Sequence, residues 1–61
     1  MTSSLEQQIA EVQREIKLRE FVYPRQVGSG KLKQTQADVH LERMRDVLNT
    51  LMRLQYPDMF K

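Results

Sequence analysis

Gly28-Ser29-Gly30-Lys31 places two glycines and a hydroxyl ahead of a lysine, the ingredients of a loop that wraps a phosphate in backbone amides. It lacks the longer glycine spacing of a G-x-x-x-x-G-K-[ST] loop and follows no strand-like run, so it reads as a turn. His40 is the single histidine, and no Ser, Cys or paired carboxylate is spaced to make it a base. No second strong ligand stands at zinc-like spacing from it, and the absence of cysteine removes thiolate sites and disulfides. Without a set of nucleophile, base and oxyanion donors, the chain is expected not to be an enzyme. It is also expected to use no cofactor, metal or small-molecule substrate.

What remains for chemistry is recognition. Ten Lys and Arg against eight Asp and Glu leave a net charge of only +2. Between Lys17 and Lys33, however, Lys17, Arg19, Arg25, Lys31 and Lys33 face Glu20 alone, a local excess of +4. Such a cluster is either a solvated helix end or a patch for an acidic partner or for phosphates. Beside it, Leu18, Phe21 and Val22 form an apolar group off the main periodicity of their segment, to be covered by the chain's own tail or by another protein. Glu15 and Arg19, four residues apart, make an attracting surface pair, and Arg19 also occupies a position where the pattern wants an apolar residue. Either its stem lies over the seam with its head in water, or it is held against a carboxylate such as Glu42 or Asp46, or against a partner's acid. Leu18, Phe21, Val22, Arg25 and Arg19 are thus the candidate partner-binding residues.

Two helices must position these groups. Ser3 with Glu6 and Ser4 with Gln7 make overlapping capping boxes that start the first. Leu5, Ile9, Val12, Ile16, Arg19 and Tyr23 then recur at steps of 4 and 3, the seam of a helix facing another helix. Pro24 lacks an amide hydrogen, so the helix is expected to end or kink at about residue 23, with a bend over 24–32. Gly28 and Gly30 in that bend can take positive φ and reverse the chain. The second helix is expected over about 33–55. Leu32 and Ala37 are placed for a hydrophobic staple, Gln36 for reaching back to the cap, and Lys33 is a poor cap with no acceptor oxygen. Ala37, Leu41, Met44, Leu48 and Leu51 repeat the seam, and His40, Val47 and Leu54 widen it. Tyr56-Pro57 ends this helix and leaves 56–61 as a short apolar tail.

The expected fold is therefore all-α, one antiparallel two-helix hairpin over 1–61. A chain of 61 residues has difficulty burying enough surface to offset its own ordering. The wide apolar arc of the second helix points to a homodimer forming a four-helix bundle, with Met44, Val47, Leu48, Leu51 and Leu54 at the interface. No window is apolar enough for a membrane span and no basic-then-apolar leader opens the chain, so no membrane partner and a cytoplasmic location are expected.

The run Tyr23-Pro24-x-x-Val27-x-x-Gly30-Lys31-Leu32, followed by Ala37, Leu41, Met44, Val47, Thr50-Leu51 and Leu54, resembles a group of small early-region phage proteins. That group includes the anti-quorum-sensing family of Pseudomonas phages. It usually has Thr or Ser where this chain has Lys33, and often Ala where it has Asp46. The resemblance implies a dimeric helical hairpin active in host takeover. Such a protein is an anti-activator or inhibitor that binds a host regulatory protein, such as a LuxR-type transcription activator, in the bacterial cytoplasm. A second expectation, of another class, is a dimeric hairpin that binds RNA or DNA, with Arg14, Lys17, Arg25, Lys31, Arg43 and Arg53 gathered on one face.

Overall fold

The computed structural model describes residues 2–60 and consists of α1 (Leu5–Gly28), α2 (Gln34–Gln55) and a 3-10 turn over Pro57–Phe60. The described residues hold no strand. Lys61, the last residue of the expected tail, lies outside them.

α1 begins on the second of the two overlapping capping boxes. Ser4 Oγ accepts from the Gln7 amide at 3.1 Å, and Gln7 Oε1 accepts from the Ser4 amide at 2.8 Å, so two otherwise orphaned donors are satisfied reciprocally. Ser3 contributes its carbonyl instead, accepting from Gln8 Nε2 at 3.1 Å.

The far end of α1 corrects the expectation from sequence. The helix does not stop at Tyr23; it runs through Pro24 to Gly28. Proline deprives the carbonyl four residues earlier, that of Glu20, of its usual donor, but the loss falls in the closing turns, where fewer bonds depend on it. Gln26 and Val27, both half-buried, extend the packed side beyond the proline. Termination comes from a Schellman motif: Gly30 donates to the Val27 carbonyl at 3.1 Å and Lys31 to that of Gln26 at 2.9 Å. Gly30 takes φ +80° at the left-handed position, while Gly28 is the last helical residue. The bend is thus only 29–33, shorter than expected.

α2 starts where the sequence placed it. Lys33, extended at φ −78° and ψ 146°, makes no side-chain cap bond, and only the returning half of the box forms, from the Lys33 amide to Gln36 Oε1 at 3.1 Å. Threonine at this position would supply the missing acceptor and remove a positive charge from the positive end of the helix dipole. Lys33→Thr is expected to stabilise the protein by about 0.5–2 kcal/mol. Thermal denaturation followed by helical circular dichroism would detect it, and an unchanged melting temperature would rule out this cap geometry.

The helices pack along the two matching seams. Ile9, Ile16 and Ala37 are buried, while Leu5, Val12, Arg19 and Tyr23 of α1 and Leu41, Met44, Leu48 and Leu51 of α2 are half-buried. Cross-links on the flanks fix the antiparallel sense. Gln55 Nε2 donates to Glu6 Oε1 at 3.4 Å, Arg45 pairs with Glu20 at 3.6 Å, and the rings of Tyr23 and His40 lie 6.4 Å apart. A rising residue number on α1 therefore meets a falling one on α2.

Each helix is covered on one side only, and the molecule is correspondingly open. Its radius of gyration is 13.9 Å, against roughly 10.5 Å for a compact domain of this length. Its accessible surface is 5025 Å², where a compact monomer of 7.3 kDa would show about 4,200 Å². The excess of roughly 800 Å² is about what one partner contributes to a standard protein interface.

Candidate functional site

Because α1 continues helically through Pro24, Leu18, Phe21, Val22 and Arg25 fall at positions i, i+3, i+4 and i+7 of one helix. A helix broken at Tyr23 would have sent Arg25 elsewhere. Instead its guanidinium carbon sits 4.1 Å from the centroid of the Phe21 ring, a cation–π contact across one helical turn. Leu18 is 49% exposed and Phe21 59%, so this pair lies on the face of α1 turned away from α2. Val22 is half-buried and belongs to the flank beside α2 rather than to the open face.

Arg19 keeps the pair with Glu15 that the four-residue step places on the helix surface, and the cross-hairpin alternatives fall away. It reaches neither Glu42 nor Asp46; its Nη1 donates to Glu15 Oε2 at 2.7 Å and to the Glu15 carbonyl at 3.3 Å, one turn back on the same helix. The Glu15 carboxylate, ahead of a smaller contribution from Tyr23, raises the Arg19 pKa above its ordinary value. Half-buried with its head on Glu15, Arg19 covers the end of the seam by its stem.

Arg14 is a residue the sequence reading undervalued. It bridges Glu11 at 2.9 Å and Glu15 at 3.2 Å, turning two like charges one turn apart into a bound pair. The signal was present in the three-residue step from Glu11 to Arg14, which places them side by side on a helix. Hydrogen bonding to Arg14, and then its charge, hold the Glu11 carboxyl below the ordinary carboxylate range. A depressed carboxylate stabilises the fold above its unfolded pKa and ceases to do so as pH falls through the folded value. Glu11 is exposed, so screening leaves its pair little weight.

The proposed dimer residues divide between two environments. Met44, Leu48 and Leu51 are half-buried members of the hairpin's own seam, whereas Val47 and Leu54 stand 46% and 66% exposed beside it. Val47 and Leu51 join Val12, Ala10 and the aliphatic parts of Gln7 and Gln8 around an open groove of about 860 Å³ between the helices. Glu11 and Arg14 rim the same groove. The 3-10 turn adds Met59, 70% exposed, at the same end of the molecule as Leu54.

The six cations considered for nucleic acid are divided in a single hairpin. Arg14 is bound by two carboxylates, and Arg43 and Arg53 are on the other helix from Lys17 and Arg25. Lys17, Lys31 and Lys33 make no ion pair among the described residues. Neither does Arg25, whose cation rests on the Phe21 ring. Among the described residues no three His, Asp or Glu side chains converge as metal ligands, and no helix is long and apolar enough to cross a membrane. Comparison of the chain with protein-family models, with curated proteins and with solved structures returned no match.

Proposed function

We propose that this chain is a protein-binding module that works as a homodimer and acts by masking a surface of a regulatory protein. The observation that carries the reading is the pair Leu18 and Phe21, 49% and 59% exposed on the outer face of α1 and continuous with Arg25. An aromatic ring, an aliphatic neighbour and an arginine are the side chains that most often anchor protein interfaces. The second open face, around Val47 and Leu54, serves the two-fold contact with another copy. The two roles lie on separate faces, so one dimer presents two α1 surfaces at once. The resemblance of the bend and second helix to host-modulating phage proteins agrees with an inhibitor of a transcription activator in a bacterial host.

The reading is tested with a photo-crosslinking residue at position 18 of the full chain, expressed in the host and treated with or without nuclease before analysis. A protein adduct that survives nuclease and disappears when Phe21→Ala is added, with the helical content unchanged, is the expected result. Loss of a central aromatic anchor costs about 2 kcal/mol or more, so capture should fall at least 30-fold. Adducts formed only with nucleic acid, or a protein adduct indifferent to Phe21→Ala, would reject it.

A further inference from the structure

Resting on that reading of the α1 face as a protein-docking surface, we infer the chemistry of its partner: an acidic, amphipathic helix or extended segment. Its apolar side chains would lie on Leu18 and Phe21, and its carboxylates would reach Arg25 and Lys17. Of the ion pairs among the described residues, none engages Lys17, Arg25, Lys31 or Lys33, while the neighbouring acid Glu20 is already directed to Arg45 across the hairpin. The bend end of α1 therefore carries positive charge that the described residues do not neutralise.

Geometry narrows the partner further. Lys17 and Leu18 precede Phe21 by one helical turn and Arg25 follows it by one, so cations bracket the apolar pair along the helix axis. The spacing between the two ends, eight residues, is about 12 Å of helix rise. A partner segment of two to three turns spans that distance with apolar groups in the middle and carboxylates at both ends. With the Arg25 guanidinium over the Phe21 ring, cation and ring lie close enough for one partner residue pair to meet both. A phosphate backbone would satisfy the cations but leave the Leu18 side chain and much of the Phe21 ring against water, which favours a protein segment over nucleic acid.

The 61-residue chain, labelled with ¹⁵N, would be titrated with three probes. One is a synthetic helical peptide with Leu and Phe on one face and Glu flanking them. The second is the same peptide with every Glu replaced by Lys, and the third is a single-stranded oligonucleotide. The expected result is saturable binding of the acidic peptide with amide shifts centred on 17–25, at least tenfold tighter than the Lys peptide, and weakened by salt. Arg25→Glu should lower affinity for the acidic peptide at least tenfold and raise it for the Lys peptide, while the melting temperature stays within a few degrees. That reversal would not follow from a fold defect. Equal binding of both peptides, no binding of the acidic one, shifts away from 17–25, or tighter binding of the oligonucleotide would each overturn the inference. A nuclease-resistant, Phe21-dependent protein adduct at position 18, found alongside such a failure, would leave the docking face intact and show that only the acidic chemistry is wrong.

Discussion

Ile16→Ala is expected to destabilise the hairpin by about 2–5 kcal/mol, the usual cost of deleting three carbons from a buried site together with the void they leave. Ile16 is 7% exposed and is one of three buried apolar residues in the described chain. A chain of 61 residues at roughly 0.05–0.15 kcal/mol per residue has about 3–9 kcal/mol in total, so this single change removes a large part of it. Leu18→Ala deletes the same number of carbons two residues away but from a half-exposed site, and should cost under about 1 kcal/mol. Urea denaturation of both variants at one protein concentration separates them. Equal losses would mean that the seam through Ile9 and Ile16 does not hold the helices together.

That contrast between neighbouring residues was visible in the sequence. The 4-3 steps from Leu5 to Tyr23 and from Ala37 to Leu51 place every seam residue in the buried or half-buried class, and Leu18 and Phe21, off those steps, are exposed. Helical periodicity is a strong signal when two arms carry the same period, because each arm requires a complement and the other supplies it. The Ser4 and Gln7 box and the weak Lys33 cap were equally legible, since both depend on side chains within three residues of the cap.

The passage of α1 through Pro24 was not legible. Proline biases the preceding residue away from the helix, a local preference that tertiary packing overrides. Tyr23 keeps helical geometry because it stands on the seam, and Gln26 and Val27 follow it at helical steps, so ending the helix at residue 23 would have left that side unpacked. The Gly30 position was the better stop signal, because only a glycine takes φ +80° at no steric cost. The Glu15 partner of Arg19 was legible in the four-residue step between them, and only the cross-hairpin alternatives, Glu42 and Asp46, are not taken up. Glu15 is on the same helix, where the i, i+4 geometry needs no tertiary contact. The gain for function is concrete: an unbroken α1 is what aligns Arg25 with Phe21.

The double variant Val47→Asp, Leu54→Asp is expected to turn the proposed dimer into a monomer. Both side chains stand substantially exposed in the isolated hairpin, so changing them costs the hairpin itself within about 0.5 kcal/mol each. In the dimer the same positions lie in the contact, and a carboxylate forced into an apolar interface without a partner costs several kcal/mol. Any large effect must therefore come from the interface, which makes the variant diagnostic. The chain exposes roughly 800 Å² beyond a compact monomer of its mass, a total of the size one partner contributes to a standard interface. Light scattering should give twice 7.3 kDa for the parent chain and 7.3 kDa for the variant. The parent's melting temperature should rise with protein concentration, since association stabilises the folded state by mass action, while the variant's should be lower and independent of concentration. A parent chain of 7.3 kDa at all concentrations, or a variant that keeps the double mass, would refute this interface. If the dimer is lost while the acidic peptide still binds at 17–25, the two surfaces act independently.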